Sequence, residues 1–397
     1  MTRTADTRVS AAATAGPVRA CVAVTSRPAC GLPSRRKDRL RDHDRLAGEP
    51  GRGKTAVGAA LRSAPVDLEL VFLGTAASAP TAARGTASTL IRRGGDRVLV
   101  DCGEGTQRQL LRSDVGLVDL EHIFLTHLHA DHVLGLPGML KTFGLRGREV
   151  PVTVYGPRGT RALLGALGVV VGRVAYPLEI RDLGPGEVIG RDGYRIETFA
   201  VRHGTPAVGY ALREDERPGR FDAAAADALG VPDGPERGAL QRGEAVTLAD
   251  GRTIEAADVV GEARRGRVIV LTGDTAPAAS VVEAAAGADV LVHEATFLAE
   301  ERMRARETAH STAGEAALVA REAQVGILVL THLSARYPPG EVADEARQLF
   351  PQTVVPRDFD LLSVPFPERG EPELVARGGR RGRAAEDRST EDVGSRA

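Results

Sequence analysis

Four short apolar runs in this chain are each followed by a residue type that binds metal ions. The runs cover residues 122–125, 196–201, 267–271 and 326–330, and the residues that follow them are His127, His203, Asp274 and His332. Strands that are buried on both faces have sequences that are short apolar runs. In open α/β sheets, binding sites form beyond the carboxyl ends of the strands. We therefore predict a fold in which several strands bring these side chains to one edge.

The first of these runs leads into the segment THLHADH (126–132), which has three histidines and an aspartate within six residues. Imidazole and carboxylate groups are ligands that zinc and similar divalent metals prefer. The alternation of His127 and His129 lets both face one ion, and Asp131 and His132 can then turn toward a second. A histidine-rich loop can also be plain polar surface, and each downstream residue taken singly could be structural. The recurrence of such residues after other strands favours a metal site.

The candidate ligands are enough for two metal ions. One ion would be held by His127, His129 and His203, the other by Asp131, His132 and His332, and Asp274 would bridge the two. Two metal ions held side by side would lower the pKa of a bound water so that it ionises near neutral pH. They would also bind and stabilise a phosphoryl oxygen. This arrangement suits the hydrolysis of a phosphodiester.

Short apolar runs alternate with Ala- and Leu-rich stretches through the middle of the chain, which indicates an α/β architecture of layered sheets. The predicted strands are Leu68–Leu73, Arg97–Val100, His122–Leu125, Val152–Tyr155, Ile196–Val201, Arg267–Leu271, Asp289–Val292 and Gly326–Leu330. A helix is predicted over Ala313–Ala323, where Thr312 and Glu315 form a capping box. Because the runs are apolar throughout, we expect strands that are buried on both faces.

The ends of the chain and one internal segment depart from this pattern. Residues 1–66 lack periodicity and are predicted to be a disordered extension, and residues 368–397 a disordered tail. The domain between them, residues 67–367, contains a polar, turn-rich segment at about 213–256. A segment this long is usually a functional loop or an inserted subdomain.

Composition excludes little beyond secretion and membrane insertion. The net charge is −1, so nucleic-acid binding would need a local basic patch. Three cysteines without a C-x-x-C pair favour a reducing cytoplasm, and no apolar run reaches the roughly 18 residues of a membrane span. Residues 48–55 match the phosphate-binding pattern G-x-x-x-x-G-K-[ST], but no apolar strand precedes them, so we expect no nucleotide site there.

The motif His127-x-His129-x-Asp131-His132 is similar to that of the metallo-β-lactamase fold, and further motifs resemble the ribonuclease Z family of endonucleases, which trim tRNA precursors at their 3′ ends. The similar segments are FLGTAASAPTAARGTAS (72–88), DCGEGTQRQLL (101–111), FLTHLHADHVLGLPGML (124–140), VRHG (201–204), LTGDTAP (271–277), ADVLVHEATF (288–297), HSTA (310–313) and THLSARY (331–337). The motifs at His293-Glu294 and at His310 separate this family from lactamases and thioesterases. A His-Glu pair could otherwise be a polar strand end closed by local hydrogen bonds.

The resemblance implies an αββα sandwich with an inserted flexible arm, two Zn²⁺ per subunit (or Mn²⁺ or another divalent metal), and a homodimer acting on precursor tRNA. Asp131 would be a ligand that also accepts the proton of the attacking water. His310, supported by Glu294, would stabilise or protonate the leaving oxygen. The products would be a tRNA 3′-hydroxyl and a 5′-phosphorylated trailer. RNA contacts would come from Arg84, and from Gly234, Pro235, Arg237 and Arg242 in the arm.

Three departures from the family pattern bear on substrate binding. Ala82 and Gly85 stand where the family's loop has Lys and Asn, and Pro356 stands where an Ala is expected. From 213 to 252 the arm has six Arg against nine Asp and Glu, the opposite of the balance that phosphate binding favours. These features keep open a hydrolase of small phosphodiesters or cyclic nucleotides. A binding protein without catalysis would require a lost ligand, and all seven are present.

Overall fold

The computed structural model describes residues 66–117 and 120–376 of the 397-residue chain. Residues 1–65, which make up nearly all of the predicted disordered extension and include the 48–55 pattern, lie outside the described residues. Residues 377–397 of the predicted tail also lie outside them. No helix within the described ranges is long and apolar enough to cross a membrane.

The described residues form seventeen strands and ten α-helices. The strands are Leu68–Gly74 (β1), Ser88–Arg93 (β2), Asp96–Val100 (β3), His122–Phe124 (β4), Val152–Pro157 (β5), Leu178–Leu183 (β6), Val188–Arg191 (β7), Tyr194–Ala200 (β8), Val208–Glu214 (β9), Val246–Thr247 (β10), Thr253–Ile254 (β11), Val268–Leu271 (β12), Val290–Glu294 (β13), Ile327–Thr331 (β14), Thr353–Val354 (β15), Leu361–Ser363 (β16) and Glu373–Val375 (β17). The helices are Thr106–Arg112 (α1), Ala130–Val133 (α2), Gly135–Leu145 (α3), Thr160–Val171 (α4), Ala223–Leu229 (α5), Pro235–Gln241 (α6), Ala279–Ala285 (α7), Arg302–Glu307 (α8), Ala313–Glu322 (α9) and Pro339–Arg347 (α10).

Two mixed sheets dominate the fold. The first has eight strands in the order β17-β16-β1-β2-β3-β4-β5-β6, and the second has seven in the order β15-β14-β13-β12-β9-β8-β7. The strands that precede the candidate ligands include parallel neighbours: β3 pairs with β4 in the first sheet, and β12, β13 and β14 run side by side in the second. Parallel neighbours end at the same edge, so the loops after them meet there.

Three apolar clusters show how the layers stack. One joins residues of both sheets, such as Leu70 and Phe124 from the first and Tyr210 and Ile269 from the second. Another lies between the first sheet and helices α1, α3 and α4, and the third lies between the second sheet and helices α7, α9 and α10. The order is therefore helix, sheet, sheet, helix, and the prediction of a layered αββα sandwich is confirmed.

All eight strands expected from the apolar runs are present, each within about two residues of the predicted bounds, an ordinary margin for strand ends. The helix after Thr312 is also confirmed, with the capping box formed as expected. The expectation that these strands are buried on both faces fails for β8, whose side chains alternate between buried and half-exposed. Its outward face carries Arg195 and Glu197, which pair with each other at 2.7 Å.

The inserted segment is a small folded unit. Helices α5 and α6 and the β10–β11 hairpin pack around an apolar cluster of their own, formed by Ala226, Val231, Leu240, Ile254 and Val259. Asp222 caps α5 by accepting a hydrogen bond from the backbone N–H of Ala225 at 2.9 Å. The inserted arm therefore has secondary structure and an apolar core of its own. The apolar residues that build the cluster are too widely spaced in the sequence to show a period.

The C-terminal part of the fold extends into the segment predicted as a disordered tail from residue 368. Strand β17 (Glu373–Val375) pairs with β16 and forms the edge of the first sheet. The regular fold therefore continues past residue 367. The segment's polar composition hid this because an edge strand needs to bury only part of its surface.

Candidate metal centre and active site

Strand ends deliver the candidate ligands to one place. His127 and His129 follow β4, His203 follows β8, Asp274 follows β12, and His332 follows β14. Asp131 lies in the first turn of α2, a short helix that begins directly after His129. His332 has φ 54°, a left-handed conformation that is uncommon for a residue other than glycine. Such strained residues cluster at functional sites, which fits the convergence of these loops.

The first predicted ligand set lies together as expected. The Nε2 atom of His127 lies 3.0 Å from Nδ1 of His129, and Nε2 of His203 lies 3.2 Å from the same atom. Ligand atoms about 2.0–2.1 Å from one tetrahedral ion are about 3.3 Å apart. The spacing of these three imidazole nitrogens therefore suits a shared cation.

The second set has a similar spacing. Oδ2 of Asp131 lies 3.2 Å from Nε2 of His332 and 3.7 Å from Nε2 of His132. The backbone N–H of Ser78 donates a hydrogen bond to the same carboxylate oxygen at 2.8 Å. Ser78 was not foreseen from the sequence, because a backbone donor leaves no trace in residue type.

Asp274 lies between the two sets. Its Oδ2 is 3.6 Å from Nε2 of His127 and 3.3 Å from Nε2 of His332, and its Oδ1 is 3.5 Å from Nε2 of His132. Oδ1 of Asp274 and Nε2 of His132 are buried, and neither has a hydrogen-bond partner among the described residues. Buried polar atoms without partners are costly. The donor set and these two orphaned atoms fit a divalent metal centre.

Three of the candidate ligand histidines are held by contacts to Nδ1, so that Nε2 of each ring faces the other candidate ligands. Asp101 lies 2.8 Å from Nδ1 of His132, the carbonyl oxygen of Ala309 lies 3.1 Å from Nδ1 of His203, and the hydroxyl of Thr296 lies 2.9 Å from Nδ1 of His332. Such second contacts fix the orientation of ligating histidines. Asp101 was missed from the sequence, although it directly follows β3 and so shares the strand-end signal of the four ligands.

Burial lowers the pKa values of two of the candidate ligand histidines. Burial and the neighbouring imidazole of His132 lower the pKa of His127 to about 2, so it is neutral, the form that binds metals. Burial likewise lowers the pKa of His203. Burial would raise the pKa of Asp274, but His332 and His132 hold it well below its usual value, so Asp274 is a carboxylate.

Glu294 and His310 form a pair beside this centre. Oε1 of Glu294 lies 2.7 Å from Nδ1 of His310 and accepts a hydrogen bond from the backbone N–H of Thr275 at 2.9 Å. Oε2 accepts a hydrogen bond from the hydroxyl of Thr296 at 2.6 Å. Burial would lower the pKa of His310, but its contact with Glu294 raises it to about 9. The Glu294 carboxylate therefore favours the protonated form of the imidazole, and the His310 ring is stacked on that of His332.

Arg84 contacts the C-terminal part of the fold through one guanidinium nitrogen. Its Nη1 donates hydrogen bonds to the hydroxyl of Thr75 and, at 2.8 Å, to the carbonyl oxygen of Pro356. Beside it, Asp358 accepts hydrogen bonds from the Thr75 hydroxyl at 2.8 Å and the Gly85 backbone N–H at 2.6 Å. Arg84 and Asp358 thus fasten the 80–85 loop to the C-terminal part of the fold.

The arm residues expected to contact RNA lie on and around α6. Gly234 is the N-cap residue of that helix and Pro235 its first residue. Arg237 is only 18% exposed and forms ion pairs with Asp227 and, at 2.9 Å, with Asp233. These contacts, and a bond of 2.8 Å to the carbonyl oxygen of Val231, commit Arg237 to the fold of the arm.

Arg242 is the more accessible of the two arm arginines. Its side chain is 63% exposed and pairs with Glu244 at 2.8 Å on the surface. Surface ion pairs of this kind are weak and exchange readily for other partners. Of the two arginines, Arg242 therefore remains available to a phosphate.

Comparisons with known proteins define the class to which this site belongs. The sequence model of the metallo-beta-lactamase superfamily matches residues 81–309 of this chain. Ribonuclease Z of Myxococcus xanthus is 48% identical over 305 residues, which are 76% of this chain and 99% of that protein. Ribonuclease Z of Haloferax volcanii is 45% identical over 306 residues, 76% of this chain and 96% of that protein.

Solved structures agree with these sequence comparisons. The short form of human tRNase Z superposes with a TM-score of 0.55 at 25% identity, over 75% of this chain and 99% of that chain. A metallo-beta-lactamase fold protein of Bacillus subtilis, at 19% identity and a TM-score of 0.55, shares the fold. The chain therefore belongs to the ribonuclease Z family within the metallo-β-lactamase superfamily. As a member of that family it is a metal-dependent endoribonuclease.

Proposed function

We propose that this protein removes the 3′ trailer from tRNA precursors. The observation that carries the proposal is the Glu294–His310 pair, held at 2.7 Å beside a closed set of seven metal-ligand side chains. A phosphodiester hydrolase needs activation of water on one side of the phosphorus and stabilisation of a leaving oxygen on the other. The site offers both, and the relatives at 42–49% identity bear the name ribonuclease Z.

The residues that would hold the metals are those predicted, with two Zn²⁺ per subunit as the proposed occupants and Mn²⁺ as a substitute. His127, His129 and His203 would hold one, Asp131, His132 and His332 the other, and Asp274 both. Bound divalent metals would lower the pKa of a water and offset the charge that develops on the phosphoryl oxygens.

Two side chains would move protons. Asp131 is fixed by the Ser78 N–H and would accept the proton of the attacking water as well as serve as a ligand. His310, whose protonated form Glu294 favours, would stabilise or protonate the leaving oxygen. With the 3′ oxygen of the tRNA as leaving group, the products are a tRNA 3′-hydroxyl and a trailer with a 5′-phosphate.

The folded arm would bind tRNA at a distance from the chemistry. Residues 213–252 carry more acidic than basic side chains, and Arg237 is committed to ion pairs within the arm. Contact would therefore rest on Arg242 and on the backbone around Gly234 and Pro235. We propose that the arm serves the partner subunit of a homodimer, and that the protein works in the cytoplasm, a reducing compartment that suits the free, buried Cys102.

The decisive experiment incubates the protein with a 3′-extended precursor tRNA and added Zn²⁺ or Mn²⁺. A single cut near the last unpaired base before the trailer is expected. Asp131→Ala should abolish the cut and leave tRNA binding, measured by gel shift, largely intact. Asp344→Ala, which removes an exposed carboxylate on α10, is the matched control and should cleave normally.

Absence of cleavage by folded, metal-loaded protein would refute the proposal. Rapid hydrolysis of a chromogenic phosphodiester or a cyclic nucleotide without any cut in tRNA would favour the small-substrate hydrolase. The acidic arm is the feature of this chain that such an outcome would explain.

A further inference from the structure

The arm leaves the second sheet through a narrow stem. Arg217 and Arg264 pair across the stem, each backbone N–H donating to the other's carbonyl oxygen at 2.8 Å. Further along, a Cβ atom added to Gly219 would lie 1.8 Å from the carbonyl oxygen of Gly261, so the two backbones touch. Gln241 of α6 donates a hydrogen bond to the carbonyl oxygen of Gly219 at 3.0 Å, which joins the arm's body to its stem. A stem built this way has little freedom of its own, so its base sets the direction of the arm.

The base of the stem is held by a segment from the other sheet. Glu368, which follows β16 of the first sheet, accepts two hydrogen bonds from the Arg217 guanidinium at 2.9 and 3.1 Å and one from Arg264 at 2.9 Å. Both strands of the stem are thus bound to one carboxylate. Bidentate arginine–carboxylate pairs fix orientation as well as distance. The bonds from Arg217 lower the pKa of Glu368 to about 2, so this carboxylate stays charged at neutral pH.

Phe366 completes the contact. Its ring lies between two guanidinium groups, with Cζ of Arg217 3.5 Å and Cζ of Arg267 3.9 Å from the ring centroid. Arg267 is fully buried and donates hydrogen bonds to Glu214 at 2.7 Å and to the carbonyl oxygen of Val364 at 2.8 Å. Phe366 is 7% exposed. Phe366 therefore joins the base of the stem, at Arg217, to a fully buried residue of the catalytic fold, Arg267.

We propose that the segment Phe366–Glu368 is a positioning element for tRNA binding, because it fixes the direction in which the arm projects from the catalytic fold. This inference rests on the proposed function, in which the arm binds tRNA. Glu368 contacts neither the metal-ligand side chains nor the Glu294–His310 pair, so its effect should reach only substrates long enough to touch the arm. Without this anchor the arm would adopt several orientations. Binding of tRNA would then cost the conformational entropy that is lost when the arm is ordered.

The test compares a precursor tRNA with bis(p-nitrophenyl) phosphate, a substrate too small to reach the arm. Glu368→Gln should raise KM for the precursor about 5- to 20-fold, since a preorganised contact is lost, with kcat nearly unchanged. Hydrolysis of the small phosphodiester should stay within about twofold of the wild-type rate, because Glu368 lies too far from the site to contact that substrate. Glu371→Gln, which removes the same charge from an exposed site three residues further on, is the control and should alter neither substrate.

Two further variants separate positioning from general stability. Glu368→Asp keeps the charge and should recover most of the wild-type KM. In a protein whose residues 221–260 are replaced by a short Gly-Ser linker, Glu368→Gln should no longer change KM, because no arm remains to be positioned. Unfolding temperatures of all variants are measured alongside.

The outcomes distinguish this inference from the proposed function. If wild type cuts no precursor, the proposed function fails first. If wild type cuts and Glu368→Gln leaves KM unchanged, the inference is overturned. It is also overturned if both substrates lose activity by the same factor, or if Glu368→Gln still raises KM after the arm has been removed.

Discussion

At the scale of single residues, one buried carboxylate organises the contacts around His310, the proposed acid. Glu294 uses one oxygen for His310 and the other for Thr296, and Thr296 in turn lies 2.9 Å from Nδ1 of His332. The carboxylate is buried, so water cannot replace these contacts. Glu294 therefore orients His310 and, through Thr296, is connected to a candidate ligand.

This arrangement predicts different losses for the two members of the pair. His310→Ala should lower kcat for precursor cleavage by about a hundredfold to ten-thousandfold, the usual contribution of a positioned acid. Glu294→Gln should lower kcat by about ten- to a hundredfold, because a supporting partner is lost and the imidazole remains. KM should change little in either. Single-turnover cleavage under saturating enzyme measures the effect.

His122→Ala is the control for the loss of a histidine from the same fold, since His122 lies at the start of β4 and outside the ligand set. It should retain nearly wild-type kcat. Equal rates for His310→Ala and wild type would remove His310 from the mechanism.

At the scale of secondary-structure elements, a buried ion-pair network joins the two sheets. Glu214, at the end of β9, accepts bonds from Arg267 at 2.7 and 2.8 Å and from Arg93 of β2 at 2.8 Å. Burial alone would raise the pKa of Glu214, but the two arginines outweigh it and hold the pKa below its usual value. The arm is inserted directly between Glu214 and Arg267, so this network also closes the fold around the insertion.

The depressed pKa gives a pH dependence of stability with a definite sign. Because the folded-state pKa lies below the unfolded value of 4.5, the contribution of Glu214 is complete above that pH and is lost as the pH falls. Glu214→Gln should lower the free energy of unfolding by about 3–5 kcal/mol at pH 7, because it leaves Arg267 buried with less compensation. The difference from wild type should shrink as the pH falls below 4.5 in denaturant titrations.

Glu197→Gln is the control for this prediction. Glu197 is half-exposed on β8 and pairs with Arg195 and Arg213, so its loss should cost about 1 kcal/mol or less. A pH-independent difference between wild type and Glu214→Gln would show that the carboxylate charge does not stabilise the fold.

At the scale of the whole molecule, helix α4 presents an apolar surface to solvent. Val169 is 93% exposed and Val170 72% exposed, and Arg161 is the only charged residue of the helix. A surface helix normally turns a polar face outward. Exposed apolar patches mark interaction sites. The face of α4 is therefore the surface on which we expect the proposed homodimer to form.

The dimer prediction is tested by placing a charge on that face. Val170→Asp should convert the protein from dimer to monomer, because an unpaired carboxylate would be buried in the interface. Size-exclusion chromatography with light scattering measures the mass. Val188→Asp changes a valine that is 59% exposed on β7 and should leave the dimer intact. A wild-type monomer at micromolar concentration, or identical behaviour of both variants, would contradict the prediction.

Much of the catalytic fold could be read from local patterns. An apolar run followed by a histidine or an aspartate is a short-range signal, and it located His127, His203, Asp274 and His332 at the ends of β4, β8, β12 and β14. The capping box at Thr312 located α9 for the same reason. Nine further strands were not predicted. Strands β6, β7, β10 and β17 are sheet edges or part of a short hairpin and bury little surface, whereas β2 and β9 are largely buried and were missed.

By itself the sequence therefore determined which residue types are available for metal binding and acid catalysis, and the order in which strands carry them. The tertiary structure decided which of them meet and which are already engaged. It brought Asp274 between the two histidine sets, committed Arg84 and Arg237 to internal partners, and built a core inside the arm. The physical reason is that pairing, burial and hydrogen bonding depend on neighbours far apart in the chain, whereas residue type and local period do not.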